Sequence, residues 1–329
     1  MVGSIVSFQM SELERAAERV RQVVPPTPQY AWPKLKRRTG CTVWVKHENH
    51  TPTGAFKVRG GIIYLDRLKE LEPKVAGVVT ATRGNHGQSI SFAAARAGVR
   101  ATIYVPLGNS PDQNSAIQGF GARLVEVGRD FDEAKHVALG VAANESLHFI
   151  PSFHPYLVLG VASYALELFR AVCDLDTVYV GVGMGSGICG LIAVRDLLGL
   201  KTEIVGVGAI KAPASARSFA AGKVVNAESA LTFADGVATR EPHEDAVATI
   251  LRGAARFVEV SEDEIAEAMR IYFDDTHQIA EGAGAAPLAA LLQERERMAG
   301  RSVGVIMTGG NIERARLLQV LSGTTPVAG

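Results

Sequence analysis

Apolar residues fall along this chain in two alternating rhythms. Short, densely apolar runs at 77–81, 101–105, 123–127, 177–183, 203–207 and 302–307 predict strands covered on both faces, and 41–46 alternates like a further short strand. Longer segments between them predict helices at 57–71, 85–97, 111–120, 130–143, 155–172, 187–198 and 283–293, with a short one after Asn311. Ser11-Glu12-Leu13-Glu14 and Ser261-Glu262-Asp263-Glu264 carry the capping-box pattern, which predicts helix starts for segments running to about Val23 and Thr276. Val24-Pro25-Pro26-Thr27-Pro28 stops the first of these, and residues 1–10 read as a loose leader.

Strand–helix alternation of this kind predicts an α/β fold of parallel twisted sheets flanked by helices. Residues 57–149 suffice for one small sheet unit, and the remainder makes a larger one with the N-terminal helix packed on it. No repeat or long linker separates them. Two closely packed units are expected, with a cleft between them and ligands at the carboxyl ends of the strands.

Composition works mainly by exclusion. The chain has 329 residues, 47% of them hydrophobic, enough for a sizeable core. Its 34 basic residues balance 34 acidic ones, so neither nucleic acid nor an anionic membrane is implied as a partner. No apolar run approaches the ~20 residues of a membrane span, and the first ten residues lack the features of a signal peptide. Cys41, Cys173 and Cys189 are odd in number and far apart, which suits reduced, buried thiols in a cytoplasmic protein. No CxxC or HExxH spacing marks a zinc site.

The candidate chemistry starts at Thr53-Gly54-Ala55-Phe56-Lys57, a small-residue turn that delivers a lysine to a helix start. Such an amine condenses with aldehydes when its charge is suppressed; alone, it reads as a surface charge. Gly183-Met184-Gly185-Ser186-Gly187 follows a strong strand and opens a helix, which makes a phosphate cradle. Gly185, Gly187 and Gly190 also fit the dinucleotide fingerprint, but the next strand ends Val207-Gly208-Ala209 without the acid that would hold a ribose. A phosphate group or mononucleotide is therefore favoured over a nicotinamide dinucleotide. Thr82-Arg83-Gly84-Asn85-His86 offers N–H groups, a hydroxyl and an amide at a helix start, which suits a carboxylate, although His86 alone reads as a core histidine. Thr308-Gly309-Gly310-Asn311 ends the last strand, and Glu281 is the only charge in Glu281-Gly282-Ala283-Gly284-Ala285.

In this order the four motifs resemble the threonine dehydratase and serine racemase group of fold-type II, tryptophan synthase β-like enzymes that use pyridoxal 5′-phosphate (PLP). The resemblance runs from about residue 20 to the end. It implies a large cofactor domain, 1–52 and 154–329, a small domain, 53–153, and an active-site cleft between them. It implies that Lys57 carries PLP as a Schiff base and serves as base for the α-proton, with Phe56 beside it. Asn85 would bond the PLP 3′-oxygen, Gly183, Met184, Gly185, Ser186 and Gly187 the phosphate, and Thr308 the pyridine nitrogen, with Glu281 near the ring. Thr82, Gly84 and His86 would hold the substrate carboxylate. A neutral hydroxyl at the ring nitrogen weakens the electron sink and suits β-elimination over transamination. The implied activity is dehydration of a β-hydroxy amino acid to a 2-oxo acid and ammonia, and family habit implies a homodimer.

The chain also departs from the pattern. Arg83 stands where racemases place a small residue, and a guanidinium does not readily release a proton, which disfavours racemisation. Arg83 could pair instead with a carboxylate of the substrate, which keeps 3-hydroxyaspartate and phenylserine open beside threonine and serine. Alternatives are β-replacement and a relative without catalysis. Residues 209–215 lack the acids of metal-activated members, so no divalent-cation site is expected there. The chain ends soon after Asn311, so feedback inhibition through a regulatory domain is not expected.

Overall fold

The chain folds around two parallel sheets that meet along a cleft in this computed structural model, which describes residues 3–327. The larger sheet has the order β1 (Gln29–Ala31), β2 (Thr42–His47), β10 (Ser302–Met307), β7 (Thr177–Gly181), β8 (Glu203–Ala209) and β9 (Arg256–Val260). All neighbours in it run parallel except β1, an antiparallel edge strand. The smaller sheet is wholly parallel, in the order β5 (Arg123–Glu126), β4 (Ala101–Val105), β3 (Val78–Ala81) and β6 (His148–Phe149).

Strand periodicity explains why both sheets are covered on both faces. In β3, Val78 packs with Ile90 and Ala93 of helix α4 (Asn85–Ala97), whereas Val79 and Ala81 pack with Ala138 of helix α6 (Phe131–Asn144). In β7, Val178 and Val180 face the core shared with helices α1 (Met10–Arg21), α7 (Pro155–Ala171) and α8 (Ser186–Leu197), while Tyr179 faces helices α11 (Glu262–Thr276) and α12 (Gly282–Gln293). Helix α3 (Lys57–Leu71) bridges the units: Val58 and Ile62 join the larger core, and Tyr64 and Leu65 the smaller one.

Several local expectations need correction. Ser11 does not cap α1, which starts at Met10. The carbonyl of Gln9 takes the first helical N–H groups, from Glu12 and Leu13, so the burial of Leu13, Ala16 and Ala17 sets the helix and not the serine. Residues 3–9 are not a loose leader. Ser4 N–H donates to Asp245 at 2.6 Å, Val6 N–H to Thr249 at 2.9 Å, and Val6 is buried; Met1 and Val2 lie outside the described residues. Cys41 and Cys189 are buried, but Cys173 is exposed, because it follows the end of α7 where the chain turns out to solvent. The second capping box is real: Ser261 and Glu264 exchange both bonds. Helices α2 (Pro33–Thr39), α5 (Pro111–Gly119), α9 (Ala214–Ala221), α10 (Glu244–Gly253), α13 (Arg295–Met298) and α14 (Arg314–Leu321) complete the helical layer; of these, α5 and α14 match the sequence pattern, and the others had no clear signal.

Candidate active site

Three loops at carboxyl ends of strands converge on the cleft, with the lysine turn beneath them. Ala55 bridges Gly309, the Phe56 N–H donates to the Thr308 carbonyl at 3.0 Å, and Gly310 N–H to the Gly54 carbonyl at 2.9 Å. The turn is thereby clamped to the end of β10, and Lys57 begins α3 from a fixed base. Behind it, Arg59 is fully buried. It gives Glu48 two bonds, at 2.7 and 3.0 Å, and Glu167 two more, at 2.8 and 3.0 Å. Glu167 also takes Lys46 at 2.7 Å, so two cations and two carboxylates neutralise one another under the first turn of α3.

Lys57 opens into a cavity of about 550 Å³, a volume ordinary for small-molecule sites. Burial lowers its amine to about 8, against the opposing pull of Glu281, and the Nζ stands 5.3 Å from the Phe56 ring. At mildly alkaline pH much of the amine is neutral and nucleophilic.

Gly183, Met184, Gly185, Ser186 and Gly187 form one end of the cavity. Gly185 has φ +96°, a left-handed conformation that favours glycine, and caps α8; a Cβ at Gly183 would stand 2.2 Å from the Gly236 carbonyl oxygen. The first intrahelical bond of α8 is from Cys189 N–H to Gly185, which leaves the N–H groups of Ser186, Gly187 and Ile188 without intrahelical acceptors. Thr308 caps β10, is buried, and its hydroxyl has no hydrogen bond among the described residues.

On the small-unit wall, Thr82 Oγ1 accepts the N–H groups of Gly84 and Gly87, at 3.0 and 3.2 Å. Both lone pairs are used, so its O–H remains as a donor for a ligand oxygen. Asn85 Nδ2 reaches both Glu281 oxygens, at 2.8 and 3.1 Å. Burial raises the Glu281 carboxyl to about 7; the Asn85 bond, a backbone N–H of Asn311 and the Lys57 charge oppose this, and Asp235 adds to it. His86 is buried and places Nε2 3.2 Å from Thr80 Oγ1, whose own hydrogen goes to the Ile150 carbonyl. Burial, then the Lys57 charge, pushes this imidazole down to about 3, which keeps it neutral and removes it from acid–base work near pH 7. Arg83 lines the cavity as an exposed guanidinium with no hydrogen bond or ion pair among the described residues.

The structure adds residues that had no individual signal in the sequence. Asn311 donates to Asn85 Oδ1 at 2.8 Å, and Gln113 to the Asn311 carbonyl at 3.0 Å. Asp235 and Gly236, in a short 3-10 turn (Asp235–Val237), and Thr239 just after it come from a connecting segment that folds over the phosphate-cradle end. Asn311 stood inside a recognised motif, whereas Gln113 and Asp235 stood in none.

The donor set suits PLP. One amine of lowered pKa meets an aldehyde, backbone N–H groups at a helix start meet a phosphate, and a free neutral hydroxyl meets a ring nitrogen.

Comparison with known proteins agrees. The chain is 32% identical over 303 residues to L-threonine ammonia-lyase of Geobacter sulfurreducens, covering 92% of this chain and 75% of the relative. It is 31% identical over 310 residues to L-threo-3-hydroxyaspartate ammonia-lyase of Pseudomonas, covering 94% and 97%. The chain spans only 60% of the length of the biosynthetic L-threonine dehydratase of Haemophilus influenzae, to which it is 29% identical. The processed threonine deaminase isoform 2 of Solanum lycopersicum superposes with a TM-score of 0.88 at 28% identity, over 98% of this chain and 96% of that one. The family described as pyridoxal-phosphate dependent enzyme matches residues 20–309, and the chain belongs to it.

Proposed function

We propose that this protein is a PLP-dependent ammonia-lyase that converts a β-hydroxy amino acid to a 2-oxo acid and ammonium. The observation that carries the reading is the Lys57 amine, held near pKa 8 in a cavity that also presents a helix N-terminus and an unpartnered neutral hydroxyl. Bound PLP supplies the electron sink that acidifies the Cα–H of the amino acid. Lys57 Nζ takes that proton. The Thr82 O–H, with the backbone N–H groups of Asn85 and His86, holds the substrate carboxylate; the Gly84 N–H is spent on Thr82 Oγ1, so Gly84 shapes the loop, and His86 contributes through its backbone and not its ring. Gly183, Met184, Gly185, Ser186 and Gly187, which line one end of the cavity, would hold the phosphate, Thr308 would meet the ring nitrogen and Asn85 a ring oxygen, with Phe56 and Glu281 beside the ring. Atoms balance: the water lost in elimination returns in hydrolysis, and the amino acid leaves as 2-oxo acid plus ammonium.

A second reading narrows the substrate to 3-hydroxyaspartate. It is favoured by the exposed, unpaired Arg83 on the cavity wall, which suits a second carboxylate. We also propose the domain division 1–52 with 154–329 against 53–153, a homodimer, and a cytoplasmic location. No helix among the described residues is long and apolar enough to cross a membrane.

The test is release of ammonia and 2-oxo acid by PLP-loaded protein from L-threonine, L-serine, the 3-hydroxyaspartates and phenylserine. Release from at least one is expected, and Lys57→Ala is expected to reduce it to background. Silence across the panel, or full activity of the variant, rejects the reading.

A further inference from the structure

The proposed reaction leaves Asn311 without a task, yet its side chain is among the most constrained in the cleft. Its Nδ2 donates to the Thr53 carbonyl at 2.7 Å and to Asn85 Oδ1 at 2.8 Å. Asn85 Nδ2 then faces both oxygens of Glu281. The two ends of a side-chain amide have nearly the same shape, so its sense is decided by what its neighbours can donate or accept. Here both ends of the chain are acceptors. The Thr53 carbonyl cannot donate, so Asn311 must offer it nitrogen. That nitrogen also meets Asn85, which must answer with oxygen. The Asn85 nitrogen is left to face Glu281, an acceptor when ionised.

The surrounding turn is shaped for this contact. Gly54 has φ +67°, and a Cβ there would stand 2.4 Å from Asn311 Oδ1. Gln113 holds the Asn311 carbonyl at 3.0 Å and is itself held by Gln88 at 2.6 Å. Asn311 belongs to the turn after β10, whereas Asn85, Gln88 and Gln113 belong to the small-sheet unit, so the amide chain also crosses the cleft.

We propose that Asn311 is a positioning residue that locks the Asn85 amide with its nitrogen, not its oxygen, available to the bound cofactor. The inference rests on the reading of Asn85 as a contact to a cofactor oxygen. Asn85 has two N–H hydrogens, and Glu281 engages that nitrogen from one side. The remaining hydrogen serves the ligand. Inversion would put lone pairs against the cofactor oxygen, and a hydrogen bond would become a repulsion.

The experiment uses apoproteins and two readouts: the PLP dissociation constant by absorbance titration, and the melting temperature without PLP. In Asn311→Asp the carboxylate offers no N–H to Thr53 or to Asn85. Asn85 turns its nitrogen to the new carboxylate, and its oxygen meets Glu281. The apoprotein melts lower and PLP binds roughly tenfold or more weakly. Adding Glu281→Gln gives the inverted Asn85 oxygen an N–H partner. Stability then recovers toward that of the Glu281→Gln single variant, while PLP affinity stays below that of the single variant. Affinity that recovers together with stability makes Asn311 a structural tie and overturns the proposal. Asn311→Ala buries no new charge and guards against misfolding of the aspartate variant: weakened PLP binding supports the proposal, and wild-type binding overturns it. Asn85→Ala is the separate control, because wild-type PLP affinity there removes the reading of Asn85 itself.

Discussion

Lys57 and His86 are both pushed down by burial, and the consequences run in different directions. Lys57 falls to about 8, so its neutral, nucleophilic fraction grows as pH rises through that value. The rate at which apoprotein takes up PLP should therefore rise from neutral pH and level off about one unit above 8. A flat profile from stopped-flow absorbance would contradict the lowered amine. His86 falls from an ordinary 6.5 to about 3, so the unfolded chain binds its proton first as pH drops. Its contribution to stability is complete above about 6.5 and is lost as pH falls toward 3, with about 2 kcal/mol gone at pH 5. His86→Gln should be less stable than wild type near pH 7, with the gap closing on acidification. Parallel urea stabilities across that range would remove His86 as the cause. Arg83 makes a different prediction, because it is exposed and unpaired. Arg83→Ala should raise KM for an acidic substrate about tenfold or more and leave KM for threonine nearly unchanged. Equal effects on both would leave Arg83 without a role in choosing a second carboxylate.

At the scale of elements, α3 matters because it carries Lys57 on one side and Arg59 on the other. Arg59 is enclosed by Glu48, Glu167, Ser163 and Thr27. Arg59→Met leaves the buried Glu48 and the half-buried Glu167 carboxylates with only Lys46 to compensate and should cost about 3–5 kcal/mol by urea unfolding. A loss below about 1 kcal/mol would mean that the network relaxes or fills with water. Elements of this kind were legible in the sequence, because their apolar periodicity is local and their glycines have local jobs. Lys57, the 183–187 cradle and the 82–86 loop were found for that reason. Strand β9 was not. It is an edge strand with Arg256 at its start, and that guanidinium is satisfied by Glu203, Glu294 and the Tyr179 hydroxyl, all far away in the chain. Strand β6 has two residues, too few for a period, and β1 is a three-residue antiparallel edge. Ser11 was misread because a capping box is a pattern of residue types, whereas the start of α1 is set by which face is buried. The amide chain was hidden by separation: Gln113 and Asn311 are 198 residues apart, and Asn85 and Asn311 are 226 apart.

Over the whole molecule, the cavity draws on both sheet units. Thr82 and Asn85 come from the small-sheet side and the 183–187 cradle, Glu281 and Thr308 from the large-sheet side, with Lys57 at the start of the helix that bridges them. Direct contacts already cross the cleft, from Asn85 to Glu281 in its depth and from Asp132 to Arg240 at its mouth. A cofactor bonded to residues of both units, as proposed above, would add a further cross-link present only in the folded state. By mass action, PLP at a hundredfold excess over its dissociation constant stabilises the fold by about 2.7 kcal/mol. The location of that gain is the sharper prediction. Hydrogen exchange of apoprotein and PLP-loaded protein should show protection appearing together in peptides spanning 82–90 and 183–190, because neither side can open without releasing a shared ligand. Protection confined to the 183–190 peptide would mean that the phosphate cradle binds PLP alone and that the small unit moves independently. In that case the contacts assigned to Thr82 and Asn85 would have to form only when the amino acid arrives.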